Sequence, residues 1–496
     1  MSTDTDTAPS DDAQLRADID RSLRHPVMFF FTSGAAWLAV AVVFGVLASA
    51  KTHAPGFLDG PGWLTVGRLY PAHLNALLYG WGFQAAFGIL IWLMARLSRK
   101  QCRNAGTILV AGHIWNFAVS VGILGILGGQ STGMPWMEFP VAIWPVLLIA
   151  YLVIVLGSMV QFRVREGGHV YVAQWYLMGA LFWFPWVFAT ANLFIHVFDV
   201  HPVMAAGINA WFKSTLIFLF FAPIGVAAAY YLAPKVTGRP VYSYNLALYG
   251  FWALAAIAPW SGMQKLAGAP LPEFLPVVGA TATILLFIPA IAVGVNILTT
   301  IRGHGQVAAA SPSLRFTVAG TIGFVLLGAM GFFLNLDGTR ALTQFTYAGY
   351  GYETLAIYGF FSMCAFAAIY FIVPRITRRE WLSRRFISWH FFLSLYGIGT
   401  VIFCALLGGI MQGISQENFG MPWDDAATRG ETWGWGITIS WSCILLGNFF
   451  FGVHLLLMWA RLGRRSQHPT LLVKPHHGES PHGPEGDLDE LEAANA

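Results

Sequence analysis

The chain has 496 residues, of which 56% are hydrophobic and only 10% are charged, and its mean hydropathy is +0.60. A soluble globular domain carries about 25% charged residues, so this composition excludes an ordinary soluble enzyme. The formal net charge of +4 reflects how basic residues flank membrane segments, and it does not indicate nucleic-acid binding.

Twelve long apolar runs follow one another along the chain, and runs of about 20 apolar residues are typical of transmembrane helices. They are too long and too rich in Leu, Phe and Trp for barrel strands, so the sequence predicts an all-α membrane bundle. The runs cover about residues 28–50, 72–95, 106–128, 141–161, 173–195, 206–233, 242–264, 274–300, 316–336, 345–373, 389–412 and 431–460.

The two ends of the chain are polar and poor in large apolar residues, which is typical of disordered segments. We expect a disordered cytoplasmic N-terminus at 1–24, one twelve-helix membrane domain at 25–465, and a disordered cytoplasmic tail at 466–496. No cleavable signal peptide is expected, because the first apolar run is long enough to span a membrane and follows a segment of mixed charge.

Basic residues lie mostly on one side of the predicted spans. Of the 28 Lys and Arg residues, 22 fall on the side of the termini and one, Lys213, lies inside a span. The opposite side has five, namely Lys51, Arg68, Lys265, Arg340 and Arg429. The positive-inside rule therefore predicts that both termini are cytoplasmic.

Four ionisable residues lie within or at the ends of apolar runs, where charge is costly and usually marks function. His73 begins the second run, Lys213 lies in the sixth, Lys265 closes the seventh and Glu353 lies early in the tenth. In the predicted topology all four fall in the outer half of the membrane and could converge on one interior site. The four cysteines show no spacing typical of a metal site or of covalent haem attachment.

Seven short motifs follow one another along the chain. They are RLYPAHLNA at 68–76, GHVYVAQW at 168–175, YYLAPK at 230–235, PVYSY at 240–244, LPEF at 271–274, YFIVPR at 370–375 and GIMQG at 409–413. Their order and spacing resemble the catalytic subunit I of haem-copper oxidases of the C family, the cbb-type cytochrome c oxidases. The resemblance implies a multi-pass protein of the bacterial inner membrane, in contact with lipid and with a membrane-anchored c-type cytochrome subunit.

The resemblance also implies six histidine ligands, two for a low-spin haem b, one for a high-spin haem and three for copper. Only the first low-spin ligand is present, as His73. The positions that align with the other five carry Ser214, Gln264, Lys265, Gly349 and Gly351. No other register supplies them, because four histidines lie in the tail and six lie in or beside loops, namely His25, His53, His169, His201, His304 and His390. Only His113, His196 and His454 remain in apolar runs. We therefore expect no copper, no metal-ligand set, no catalytic residue and no oxygen-reducing centre.

An ion pair is expected to replace the lost metal charge, with Lys213 or Lys265 bound to Glu353. Breaking a buried pair of this kind costs about 3–5 kcal/mol, which would keep both partners in place. For Lys265 the alternative is that its amine extends to the membrane surface. The space of the lost cofactors is expected to be filled in part by bulky side chains, namely Phe212, Met263, Tyr347, Tyr350 and Tyr352.

His73 has two interpretations. It could hold one retained haem b, with Tyr350, Tyr352 or Met263 as a substitute second ligand, since tyrosine and methionine both ligate haem iron. It could instead be a relic imidazole that is hydrogen-bonded in the core. Tyr242 and Tyr244, in the region of the family's active-site tyrosine, are interpreted as structural.

Three functions stay open, because one fold hosts many functions. The first is a ligand-depleted subunit of a respiratory electron-transfer complex that anchors a c-type cytochrome. The second is a working terminal oxidase or related reductase with unconventionally ligated haem b. The third is a proton- or solute-conducting protein that uses Lys213, Lys265 and Glu353. The histidine count favours the first over the second, and whether the chain is an enzyme stays open.

Overall fold

The computed structural model describes residues 11–166, 169–198 and 200–463. Within these ranges the chain is helical and contains no β-sheet. Twelve of its helices are long and apolar enough to cross a membrane, which confirms the all-α bundle of twelve spans. The cytoplasmic placement of the termini stays a prediction.

The twelve long helices are numbered here in chain order. They are α1 (Asp11–His53), α2 (Val66–Ser98), α3 (Ala105–Leu127), α4 (Ile143–Arg163), α5 (Val172–His196), α6 (Pro202–Thr237), α7 (Tyr244–Leu266), α8 (Phe274–Ile301), α9 (Pro312–Leu334), α10 (Tyr347–Thr377), α11 (Arg384–Phe419) and α12 (Glu431–Trp459). Short helices at Gly305–Ala310, Asp337–Thr343 and Trp423–Thr428 lie in three of the connections.

Three helices form the centre of the bundle. In α2 and α10 every residue of the most apolar 18-residue segment is buried, and in α6 94% of them are. In the other nine spans at most 56% of the residues of that segment are buried. The other helices therefore surround α2, α6 and α10 and present one face outward, as helices in contact with lipid do.

Each central helix contains a π-helical stretch, at Ala76–Gly82 in α2, Ile217–Phe221 in α6 and Leu355–Ser362 in α10. Such stretches are rare and often occur at functional sites. Beside them, the rings of Phe83 and Phe220 stack with centroids 4.4 Å apart, and those of Phe221 and Phe361 are 4.7 Å apart. Aromatic rings thus fill the space between the three central helices.

The prediction of a disordered N-terminus at 1–24 is wrong for its second half. Helix α1 begins at Asp11, because this segment has partners in the bundle. Trp92 donates a hydrogen bond from Nε1 to Asp20 Oδ1 at 2.9 Å, and Ile19 is buried. Residues 1–10 and 464–496, which include the predicted tail, lie outside the described residues.

Candidate functional site

The candidate site lies in the half of the bundle where α1 ends, called the distal half below. His73 on α2, Lys213 on α6 and Glu353 on α10 each stand within one turn before the π-helical stretch of their helix. Lys265 comes from the end of α7. The four ionisable residues singled out from the sequence are therefore brought to one region by the three central helices and α7.

Both lysines contact the same oxygen of Glu353. The Nζ atoms of Lys213 and Lys265 lie 2.5 Å and 2.7 Å from Oε1 of Glu353. The side chains of Lys213 and Glu353 are 13% and 12% exposed, whereas that of Lys265 is 34% exposed. The expected pairing is present for both lysines, and Lys265 also reaches outward. We call these three residues the lysine–glutamate cluster, and its formal charge is positive.

A glycine places the end of α7 against α6. Gly262 has φ +111°, and a Cβ there would lie 2.6 Å from the carbonyl oxygen of Ala210. A side chain is excluded on both counts, since the left-handed backbone region and the close approach each favour glycine. This contact brings Gln264 and Lys265 to the site.

The connection between α3 and α4 folds over the cluster. The buried Trp136 ring lies 5.2 Å from Lys213 Nζ, a distance typical of a cation–π contact. Tyr79 donates a hydrogen bond to the carbonyl oxygen of Trp136 at 2.8 Å, and Asn209 donates one to that of Pro135 at 2.9 Å. These two hydrogen bonds therefore hold the connection against the lysine–glutamate cluster.

Glu138 in the same connection is a buried carboxyl group that sequence reasoning missed. It lies between α3 and α4, and its Oε2 accepts a hydrogen bond from Asn75 Nδ2 at 2.6 Å. Burial raises the pKa of Glu138 to about 7, although the hydrogen bond from Asn75 and the charge of Lys213 oppose the shift. Its charge therefore changes near neutral pH, close to the positive cluster. The sequence feature that could have indicated its burial is the position of a carboxylate between Trp136 and Phe139 in an aromatic-rich connection.

His73 is wedged against α1. Its Nδ1 lies 2.7 Å from the carbonyl oxygen of Ala41, and since a carbonyl only accepts, Nδ1 carries the proton. The lone pair is then on Nε2, which is buried and has no hydrogen-bond partner among residues 11–166, 169–198 and 200–463. A Cβ at Gly45 would come within 2.8 Å of the imidazole, so the glycine provides the space for the ring.

A narrow cavity connects His73 with the lysine–glutamate cluster. Its free volume is about 10 Å³, which corresponds to a single water molecule. The Tyr350 hydroxyl beside it accepts a hydrogen bond from Trp441 Nε1 at 2.6 Å, and the Trp441 ring stands 5.0 Å from the imidazole. The cavity is lined by His73, Leu74, Leu77, Leu78, Trp136, Tyr350, Glu353, Thr354 and Ile357.

Ser214 and Gln264, two further positions where the sequence analysis expected the family's ligands, are engaged in hydrogen bonds. The hydroxyl groups of Ser214 and Ser261 are 2.7 Å apart. Gln264 donates from Nε2 to Thr283 at 2.7 Å and accepts at Oε1 from the backbone N–H of Gly262 at 2.8 Å. Their donor and acceptor atoms are therefore directed to protein partners.

Gly349 and Gly351, which the resemblance was expected to align with the haem-ligating histidines of the tenth helix, do not line the cavity beside His73. A Cβ at Gly351 would meet Ala405 on α11 at 3.1 Å, and one at Gly349 would meet no atom within 4 Å. Tyr350 and Thr354 line the cavity beside the imidazole instead.

Of the five bulky residues expected to fill the site, Tyr350 lines this cavity, whereas Phe212, Met263, Tyr347 and Tyr352 are not part of its lining.

The remaining sequence candidates make ordinary packing contacts. The Tyr244 hydroxyl donates to the carbonyl oxygen of Val170 at 2.7 Å, and Tyr242 is 61% exposed. His113 is exposed and stacks on Phe29 with centroids 4.3 Å apart.

A second buried polar cluster, between α10, α11 and α12, was also missed. The Tyr370 hydroxyl lies 2.9 Å from His390 Nδ1, and Tyr358 donates to Asn448 Oδ1 at 3.0 Å. His390 stands near the start of an apolar run, so the sequence suggested a loop position, whereas its side chain is fully buried. The sequence feature that could have indicated this cluster is Asn448, a polar residue inside the last apolar run.

In the part of the chain that the structure describes, no group of three or more His, Cys, Asp or Glu side chains is placed to hold a metal ion. The polar groups at the candidate site are two ammonium groups, the carboxyl groups of Glu353 and Glu138, hydroxyl and amide groups, and one imidazole. An arrangement of this kind can hold a charge, order a water molecule or exchange a proton.

Comparison with known proteins gives one consistent result. The family model described as "Cytochrome C and Quinol oxidase polypeptide I" matches residues 25–445. The chain is 26% identical over 392 residues to a cytochrome c oxidase subunit 1 homolog of Azorhizobium caulinodans, covering 76% of this chain and 70% of the relative. It is 25% identical over 393 residues to the Cbb3-type cytochrome c oxidase subunit CcoN1 of Stutzerimonas stutzeri, covering 76% and 81%.

A solved structure shows the same fold. A chain of a heme-copper terminal oxidase dimer, determined by cryo-EM, superposes with a TM-score of 0.72 at 13% sequence identity. The match covers 94% of this chain and 90% of that one.

Proposed function

The chain belongs to the cytochrome c and quinol oxidase polypeptide I family, and from this premise we propose that it is a subunit I-like protein of a respiratory electron-transfer complex without its own oxygen-reducing haem-copper centre. In that complex it anchors or orients a membrane-bound c-type cytochrome partner. The proposal gives the protein the family's scaffold and assigns the redox chemistry to other subunits.

The lysine–glutamate cluster is the observation that carries this proposal. A copper ligand needs a free lone pair, which neutral imidazole has and an ammonium group lacks. Lys265, which aligns with a copper histidine, has its nitrogen 2.7 Å from Glu353 Oε1. Ser214 and Gln264, aligned with the other two, are hydrogen-bonded to Ser261 and Thr283. These side chains do not fit a copper ion.

The surroundings of His73 do not fit a haem b with two axial ligands either. His73, whose Nε2 atom has no hydrogen-bond partner among the described residues, borders a cavity of about 10 Å³, whereas a porphyrin is many times larger than a water molecule. The Tyr350 hydroxyl on the facing helix is engaged by Trp441 Nε1 at 2.6 Å. No step of the proposed function therefore passes through a haem held by this chain.

One observation favours a second candidate function. The Nδ1–H group of His73 donates to a backbone carbonyl and leaves Nε2 free, which is the orientation that second-shell hydrogen bonds give to metal-ligating histidines. In this second candidate the chain retains one haem b on His73 and works as an oxidase or related reductase. Haem binding would then require the rings of Tyr350 and Trp441 to move apart.

The test is to purify the full chain from its native membrane together with its partners. Reduced-minus-oxidised visible spectra, metal analysis and identification of the accompanying subunits are recorded for the wild type and for His73→Ala. We expect c-type haem in a partner subunit, copper at background level in this chain, and the same spectrum for both proteins.

Each contrary outcome points to a named alternative. A b-type haem band that is lost in His73→Ala would overturn the proposal in favour of the haem-retaining oxidase. Copper in stoichiometric amount within this chain would overturn it as well. If no redox subunit accompanies the chain, the third candidate, a proton- or solute-conducting protein that uses the lysine–glutamate cluster, replaces it.

A further inference from the structure

Three arginines come together at the end of the bundle opposite the distal half. Arg379 in the turn between α10 and α11 donates a hydrogen bond from Nη1 to the carbonyl oxygen of Gly463 at 2.6 Å. This bond ties the turn to the segment that follows α12, which carries Arg461. The positive charge of the Arg24 guanidinium on α1 is repelled by the charges of Arg461 and Arg379. We call these three residues the arginine cluster.

The arginine cluster has no acidic partner within the described part of the chain. No carboxylate oxygen there lies within 4.0 Å of its three guanidinium groups, Glu380 beside Arg379 included. The basic residues around the start of α1 are different. Arg99 lies 2.6 Å from Asp12 Oδ1, and Lys100 pairs with Glu166. Among the described residues, carboxylates neutralise one side of this end, and the other side carries unpaired positive charge.

An anion would relieve the repulsion within the arginine cluster. Arg24 and Arg379 are half-buried, and like charges in a partly buried site disfavour each other unless a counter-charge is present. The planar guanidinium group offers paired N–H donors that match the oxygens of a phosphate. A phosphate group is therefore the ligand class that the side chains favour.

Apolar side chains next to the arginine cluster indicate where such a phosphate comes from. Leu382 in the same turn is 46% exposed, and Trp459 and Leu462 beside Arg461 are each 61% exposed. Large apolar residues at the end of a membrane bundle contact the acyl region, and tryptophan is typical of the level of the headgroups. Basic pockets between transmembrane helices bind the headgroups of anionic lipids.

We infer that the arginine cluster of Arg24, Arg379 and Arg461 binds the phosphate of an anionic phospholipid, with the acyl chains against Leu382, Trp459 and Leu462. The inference is independent of the proposed function, because it concerns the opposite end of the bundle from the lysine–glutamate cluster. It assigns a structural lipid to the junction of α1, α10 and α12.

The test measures lipid binding to the full chain in detergent, with its native partners. Native mass spectrometry and thermal unfolding are followed during titration with phosphatidylglycerol, phosphatidylcholine or inorganic phosphate. We expect phosphatidylglycerol to bind and to raise the unfolding temperature, and the other two to do neither. Each of Arg24→Gln, Arg379→Gln and Arg461→Gln should weaken the binding about fivefold, and the triple variant about a hundredfold.

The matched control is Arg99→Gln, which removes a positive charge at the same end that already has a carboxylate partner; its affinity should stay within about twofold of the wild type. Equal binding of phosphatidylcholine, or equal stabilisation by inorganic phosphate, would overturn the assignment of an anionic lipid. Unchanged binding in the single variants would overturn the site. The single variants decide the result if the triple variant does not fold.

Discussion

The two sides of the distal half differ in how their polar side chains are bonded. On the α2 side, His73 is kept with its Nε2 atom free and buried. On the α6 and α7 side, the aligned positions carry Ser214, Gln264 and Lys265, and each is bonded to a protein partner. One side carries a group that can accept a metal or a proton, and the other is a closed polar network.

The comparison teaches that charges buried in the bundle are accompanied by a counter-charge, because an unpaired buried charge is costly. Glu353 sits between Lys213 and Lys265 at distances of 2.5 and 2.7 Å, so the cluster links α6, α7 and α10. On the His73 side the contact is a hydrogen bond, from Nδ1 to the carbonyl oxygen of Ala41 at 2.7 Å.

Removing the central carboxylate should produce the largest effect. In Glu353→Gln, two ammonium groups are left in a mostly buried site without their counter-charge, and we expect a loss of about 3–5 kcal/mol in the free energy of unfolding. Thermal or denaturant unfolding in detergent, followed by circular dichroism, measures it. Lys265→Met is the matched control, because Lys265 is 34% exposed and Glu353 keeps Lys213; its loss should be about 1 kcal/mol or less. Equal losses in both variants would show that the cluster does not hold the helices together.

The carboxyl of Glu138 should make stability depend on pH near neutrality. Its pKa is raised to about 7 in the folded protein, so the folded state holds this proton more tightly than the unfolded state does. Stability from this group is complete below about pH 4.5 and is lost as the pH rises through about 7. In Glu138→Gln, which keeps an oxygen for Asn75, we expect a gain of about 2–3 kcal/mol at pH 8 and little change at pH 4.5.

Unfolding temperatures of the wild type and of Glu138→Gln at several pH values between 4.5 and 8 test this prediction. A difference between the two proteins that is constant across this range would contradict a raised pKa at Glu138.

Filling the space beside His73 should have a smaller effect. In Gly45→Ala the new methyl group would lie 2.8 Å from the imidazole, so the ring must move and the hydrogen bond to Ala41 weakens. We expect a loss of about 1–3 kcal/mol in the free energy of unfolding. Gly399→Ala on α11, where a Cβ meets nothing within 4 Å, is the control and should gain up to about 1 kcal/mol. The prediction fails if both variants are equally stable.

The smallest effect is expected at Ser214. Replacing it with alanine removes the hydrogen bond to the Ser261 hydroxyl, which still has the carbonyl of Ala258 at 2.8 Å as an acceptor. We therefore expect a loss of only about 1 kcal/mol. The same unfolding measurement applies, and a loss as large as that of Glu353→Gln would mean that Ser214 belongs to the electrostatic core of the site.

Much of the site could be predicted because charge inside an apolar run is rare. Lys213, Lys265 and Glu353 stand out in their runs, and the cost of an unpaired buried charge predicts their convergence. Glu138 lacked this signal, since it lies in a connection, where a carboxylate is ordinary; only the inward fold of residues 135–139 buries it. His390 was missed for a similar reason, because a position near a predicted helix end says little about burial.

The face of the helix on which a residue lies was the hardest property to predict. A helix has 3.6 residues per turn, so a shift of one residue rotates a side chain by about 100°. Gly349 and Gly351 align with ligand positions, yet Tyr350 lines the cavity beside His73. A π-helical stretch such as Leu355–Ser362 adds to this rotation, and nothing in the residue types marked its position.

The sequence by itself determined that the chain lies in a membrane, how many helices span it and which family the chain belongs to. Hydrophobicity over about 20 residues and the order of motifs are properties of the chain alone. The presence of a pairing for Glu353 also followed from it, through the cost of burying charge. Only the tertiary structure decided that one carboxylate serves two lysines, that Glu138 lies beside them, and that the cavity at His73 is the size of one water molecule. These depend on helix rotation and on how loops pack, which are set by contacts between segments far apart in the chain.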